Sequence, residues 1–156
     1  MTMNKTFECL NPDFKADIEE KLQRQFFMKH MGFQLDVIEL GKVTGSLQIE
    51  EKHLQQNYFV HGGVMATASD IVMGFAAYSL VPKHFGVVTT DLNVSFLNPG
   101  IGDKLIAEGT VTKLGGQLVF CEANIYVEKE GKRVHTNRST STMFKVDWKA
   151  MKKVTG

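Results

Sequence analysis

Two cysteines in 156 residues, Cys9 and Cys121, are too few and too far apart for a disulfide framework. No CxxC pair exists, so neither a zinc ribbon nor a thioredoxin-type redox motif is supported, and a reducing cytoplasm is the expected compartment. Charge of one sign is lacking too: 18 basic side chains face 17 acidic ones. With no basic excess to neutralise phosphates, a dedicated nucleic-acid binder is excluded. Met1–Leu10 carries Asn4, Lys5 and Glu8 and no apolar stretch, so it does not read as a secretory signal. The catalytic signatures of several classes are missing: no GxSxG elbow, no GxxxxGK[ST] loop, and nothing in Gly100-Ile101-Gly102-Asp103 that makes a dinucleotide fingerprint. His30, His53, His61, His84 and His135 have no ligand spacing such as HExxH, so no metal site is expected.

Residues 43% hydrophobic and 22% charged exclude disorder. The length suits one domain over residues 1–156 and a core formed without staples. Val64–Val81 holds one charge, Asp70, in eighteen residues, close to the lower length for a membrane helix. Thr67, Ser69, Asp70 and Ser79 interrupt it, an Asp near a membrane centre costs about 2.5–3.5 kcal/mol, and no second such segment exists. The expectation is no membrane span, but a helix buried in a soluble protein.

Asn11-Pro12-Asp13 is a helix start, and Phe14, Ile18, Leu22 and Phe26 recur every four residues as one apolar stripe. A single helix is expected over about 12–30, closed by Gly32. Phe33–Leu40 and Lys42–Glu51 read as a hairpin about Gly41. The long apolar segment follows His61-Gly62-Gly63, is rich in alanine, and is ended by Pro82; apolar on nearly all sides, it needs protein all round it. Period two returns with Val88, Thr90, Leu92, Val94 and Phe96 on one expected face, a turn at Asn98-Pro99-Gly100 and a strand over Lys104–Lys113. A tight turn at Gly115-Gly116 leads to a second face, Val119, Cys121, Ala123, Ile125 and Val127. Glu130-Gly131-Lys132 turns into a last strand over Arg133–Val146, and the basic tail after Trp148 is expected to fray. Two helices and about six antiparallel strands make an α+β domain, with the curved sheet wrapped about the long helix and a core over about 30–145.

A carboxylate in the most apolar helix must be hydrogen-bonded, protonated or open to a cleft, because an unpaired buried charge costs several kcal/mol. Asp70 is therefore a satisfied buried acid, a solvent-facing one, or a general base or nucleophile. Gly62 and Gly63 stand where the helix begins, where backbone amides are unpaired donors and a glycine lets a ligand come close. Seven residues of helix separate Gly63 from Asp70 by about 10 Å, too far for one carbonyl to touch both comfortably. The spacing points to a site assembled between chains.

His61-Gly62-Gly63 followed by Asp70 resembles the hotdog-fold acyl-CoA thioesterases of phenylacetyl-CoA (PaaI-like) type, as do the strand Thr90–Pro99, Gly102–Leu105 and Leu114–Leu118, a match over about 30–145. The resemblance implies that Asp70 activates water or attacks the thioester, that the Gly63 amide polarises its carbonyl, that His61 shapes the loop and that Thr89 positions the water. It places Gly62 beside the bound ligand and Gly115, Gly116 and Gln117 near its CoA part. Where many relatives carry an Asn six residues before the motif histidine, this chain has Gln55, with Asn57 two residues closer; either amide offers the same donors and acceptor. It further implies dimers through the long strand after the helix, often paired into tetramers, and no cofactor, since CoA is part of the substrate. Hydrolysis of acyl-CoA thioesters is the expected function, with a non-catalytic acyl-CoA sensor or carrier as the alternative. The acyl chain is expected beside Met65, Met73 and Phe75.

Overall fold

A computed structural model describes residues 7–152. Its elements run α1 (Phe14–Leu22), α2 (Phe26–Met31), β1 (Gln34–Glu39), β2 (Lys42–Gln48), α3 (Gly62–Tyr78), β3 (Phe85–Phe96), β4 (Lys104–Leu114), β5 (Leu118–Lys129), β6 (Lys132–Asp147) and α4 (Trp148–Lys152), with a 3-10 turn at Glu51–His53. The six strands form one antiparallel sheet in the order β1-β2-β4-β5-β6-β3, and α3 packs across all of them. This is the α+β hotdog arrangement, a curved sheet around a long helix.

The inner face of β5 explains why α3 lies there. Val119, Cys121, Ala123, Ile125 and Val127 are all buried, at 0–2% exposure, as strict alternation over a helix-covered sheet requires. The β5–β6 hairpin turns on Glu130 and Gly131, whose φ angles of 50° and 75° match the right-handed twist of the strands. Burial pushes the Cys121 thiol from 9.0 up to about 12. It follows that a thiol reagent modifies Cys9, which is exposed, in the native protein and reaches Cys121 only after denaturation. The unfolded thiol ionises near pH 9 while the native one holds its proton to about 12, so stability falls as pH rises above about 9. A thiol count before and after denaturation checks the first statement.

Four expectations are corrected. The N-terminal helix is two: α1 stops at Leu22, Gln25 adopts φ −84°, ψ 71°, and the chain restarts at Phe26. The turn changes the face, so Phe26 is 74% exposed while Met28 and Met31 are buried instead. Gly32, at φ 73°, does close it, with Phe33 N–H donating to the Met28 carbonyl. Second, α3 ends at Tyr78, four residues before Pro82. The Ser79 hydroxyl donates to the Ala76 carbonyl at 2.7 Å and accepts from Gly41 N–H at 2.7 Å, tying off the helix against the first hairpin. Third, α3 is not covered all round within one chain: Thr67, Asp70, Ile71 and Gly74 stay half-exposed. Fourth, Val88 does not share a face with Leu92, Val94 and Phe96. Thr89 pairs with Met143 and Asp91 with Thr142, so Thr90 is the extra residue of a bulge. Paired residues share a face: Thr89 follows Met143 inward, Leu92 follows Ser141 inward, and Val88 lies outward with Phe144.

The tail begins as α4, and its last residues, 153–156, on which the expectation of fraying also falls, lie outside the described residues. Asp147 Oδ1 accepts from Lys149 and Ala150 N–H at 2.9 and 3.3 Å, and the Trp148 indole lies against Gly86, where its Nε1 leaves no room for a Cβ. The two sheet edges differ. β1 is short, bulged between Leu35 and Val37, and carries exposed Asp36; β3 is twelve residues long and, among the described residues, pairs only with β6. No helix among the described residues is long and apolar enough to cross a membrane.

Candidate active site

His61 caps α3 with its ring: Nδ1 accepts from Gly63 N–H at 2.9 Å, taking one of the donors that a helix start leaves without a partner. Gly62 packs against the Phe96 ring, 3.1 Å from where a Cβ would be. Two turns further on, Asp70 meets the edge strand β3. Thr89 on β3 donates from Oγ1 to Asp70 Oδ1 at 2.7 Å; the Met143 sulfur lies 3.3 Å from the same hydroxyl. One hydroxyl has one proton, and the carboxylate is the stronger acceptor. The bulge at Thr90 is what turns Thr89 inward to meet it.

Asp70 and Thr89 stand on the wall of a cavity of about 580 Å³. Its floor is α3, through Ala66, Asp70, Gly74 and Tyr78; its sides come from β3, from α1 and α2, and from Trp148. Asp70 is thus half-exposed and open to a cleft, one of the three conditions a carboxylate in this helix could meet. Among the described residues no group of three or more His, Cys, Asp or Glu side chains could hold a metal ion.

The remaining sequence candidates lie apart from this wall. His61, Gly62 and Gly63 are at the start of α3, seven residues or more from Asp70 along a continuous helix. Gln55 and Asn57 belong to a tight turn, closed by Gln55 N–H to the Phe59 carbonyl and Tyr58 N–H to the Gln55 carbonyl; Gln55 is half-buried and Asn57 exposed. Gly115, Gly116 and Gln117 form the β4–β5 turn, held by Lys145, whose Nζ donates to the Gly115 carbonyl at 2.8 Å and whose N–H donates to the Gln117 carbonyl at 2.9 Å. Partial burial lowers the Lys145 pKa. None of these eight residues lines the cavity. Of the expected acyl-chain contacts only Phe75 does; Met65 and Met73, at 4% and 0% exposure, belong to the core, and Met28 and Met143 take their place. Lys21, Gln25, Gly74 and Trp148 also line it and were not anticipated. Gly74 alone left a trace in the sequence, a glycine four residues after Asp70 in an alanine-rich helix.

A sheet curled about one long helix, with an acid on the open side of that helix, is the hotdog architecture with an acid-bearing cleft. The model of the Thioesterase superfamily matches residues 57–134. Over 145 residues the chain is 36% identical to a Halobacterium salinarum protein named "Putative esterase", covering 86% of this chain and 95% of that one. It is 28% identical over 101 residues to human acyl-coenzyme A thioesterase 13, covering 64% of this chain and 71% of the relative. The crystal structure of a thioesterase family protein from Silicibacter pomeroyi superposes with a TM-score of 0.84 at 27% identity, covering 86% of this chain and 98% of that one. The chain belongs to the Thioesterase superfamily, whose common chemistry is thioester hydrolysis.

Proposed function

We propose that this protein hydrolyses acyl-CoA thioesters and that Asp70 is its general base or nucleophile. One observation carries the reading: the only carboxylate of α3 opens onto the cavity and is oriented by Thr89. With Oδ1 engaged by Thr89, Oδ2 is the carboxylate oxygen left to act on a molecule in the cleft. There Asp70 takes a proton from a water whose oxygen adds to the thioester carbon. The C–S bond then breaks, the acid is released, and the departing sulfur leaves as the CoA thiol with the proton. Attack by the carboxylate itself, followed by hydrolysis of the anhydride, gives the same products. The acyl-CoA class is supported by the name of the human relative.

The polarising donor comes, in this reading, from a second copy. Within one chain Gly63 and Asp70 are about 10 Å apart along the axis of α3. The long open edge of β3 offers a second chain a backbone to pair with, which would bring the α3 start of one copy towards the Asp70 of the other. The substrate oxygen then competes with His61 Nδ1 for the Gly63 N–H.

The test is release of CoA from a panel of short, medium-chain and arylacetyl thioesters, followed with a thiol reporter and corrected for Cys9. Turnover of at least one is expected; tight binding without turnover of any would establish the sensor reading instead. Thr89 acts through Asp70 as a positioning residue. Hydrogen bonds to a charged group contribute about 1.5–3 kcal/mol, so Thr89→Val is expected to lower kcat roughly 10- to 100-fold with KM little changed. Thr89→Ser should restore most of the rate, and a Ser variant as slow as the Val one would separate the hydroxyl from the effect.

A further inference from the structure

Among the described residues nothing requires Gly74 to be glycine. It lies inside α3, and its φ is not in the left-handed region. A Cβ built on it meets no atom of the described residues within 4 Å, so none of them demands the space. Apart from proline, glycine is the poorest residue for a helix interior. Yet Gly74 follows Asp70 by one turn, and residues spaced by four lie above one another on one helix face. Ala66, Asp70, Gly74 and Tyr78 form such a row, and all four line the cavity. The missing side chain therefore leaves a trough open beside the acid.

The far end of the trough is different in kind. Tyr78 closes it, with the Lys21 ammonium 4.9 Å above the ring centre and Gln25 also on the wall. Asp70 and Tyr78 are eight residues apart, about 12 Å along the helix axis. An apolar chain can lie along this length between Gly74, Met28 and Trp148. Beyond it the chain would have to displace water from a lysine, which is costly.

We infer that Gly74 is the specificity-determining residue for the acyl group, admitting an extended medium-chain acyl group that runs from Asp70 over Gly74 and stops at Tyr78 and Lys21. The inference rests on the thioesterase reading above and adds the path of the acyl chain to it.

The test compares kcat/KM for decanoyl-CoA and acetyl-CoA in the wild type and in Gly74→Leu. The wild type should prefer decanoyl-CoA, and Gly74→Leu should lower the decanoyl-to-acetyl ratio at least tenfold, because the isobutyl group fills the trough. A ratio within twofold of wild type in a folded, active Gly74→Leu protein overturns the inference, as does a wild type that prefers acetyl-CoA. Gly74→Ala should raise Tm, as alanine in a helix with space around it does. A binding measurement covers the case in which Gly74→Leu fails to fold. Trp148 is the only tryptophan and lines the trough. In Asp70→Asn, which would bind without turnover, decanoyl-CoA should shift Trp148 emission and acetyl-CoA should not; equal responses overturn the inference. A wild type that turns over neither thioester, while decanoyl-CoA alone still shifts Trp148, refutes hydrolysis and leaves the acyl path standing.

Discussion

Asp70→Asn is expected to lower kcat by about 10²- to 10⁴-fold, the range over which a positioned general base contributes. The neighbourhood makes the variant a clean one. Asn keeps the shape of the side chain, and its carbonyl oxygen still accepts the Thr89 proton now given to Oδ1 at 2.7 Å. What disappears is the ability to take a proton from water or to attack as a carboxylate. Because Asp70 is half-exposed at a cleft rather than packed in the core, Tm should change little, and acyl-CoA should still bind. Steady-state kinetics with a melting curve on the same preparation separate loss of chemistry from loss of fold. Wild-type turnover in Asp70→Ala would remove the residue from the reaction altogether.

The second large effect concerns stability. Gly109, in the middle of β4, lies directly against α3. A Cβ there would stand 2.6 Å from the Val72 carbonyl carbon, 2.8 Å from its oxygen and 2.8 Å from Val72 Cγ2. The first two are backbone atoms of a seventeen-residue helix and have no rotamer to yield. Gly109→Ala therefore has to push α3 off the sheet. Overpacking of this kind costs about 1–3 kcal/mol, and occasionally more. At roughly 2–4 °C per kcal/mol for a chain of this size, Tm should fall by about 2–12 °C. Val72 is two residues from Asp70, so activity at low temperature should fall as well. An unchanged Tm would mean that the helix is seated less closely than these distances say.

The residues that declared themselves in the sequence are those whose environment is set by one face of one element. The alternating run Val119–Val127 reads as a buried strand face because the helix above covers all of it. The start of α3 shows as His61-Gly62-Gly63, and Asp70 stands out by being the lone charge in an apolar stretch. Thr89 was reached only through family resemblance. Its inward direction depends on the bulge at Thr90, which is fixed by the strand opposite and not by its own neighbours. The break between α1 and α2 has the same origin. The four-residue spacing runs through Phe26, yet tertiary packing chose Met28 and Met31. The cavity wall was hardest to see. Lys21, Gln25 and Trp148 come from a helix and a tail that look like surface in one dimension and meet only after folding.

The unlike edges of the sheet bear on how far an assembly could grow. A strand added to β1 meets a rim only six residues long and bulged near its start, whereas β3 offers one twice that length. Were two copies to join β3 to β3 about a twofold axis, each would consume the other's only receptive rim and leave β1 outermost at both ends. Growth would halt at the pair. Such a pairing would keep the curved sheet that shelters the acid from polymerising into a fibre, a hazard that long exposed strands otherwise carry.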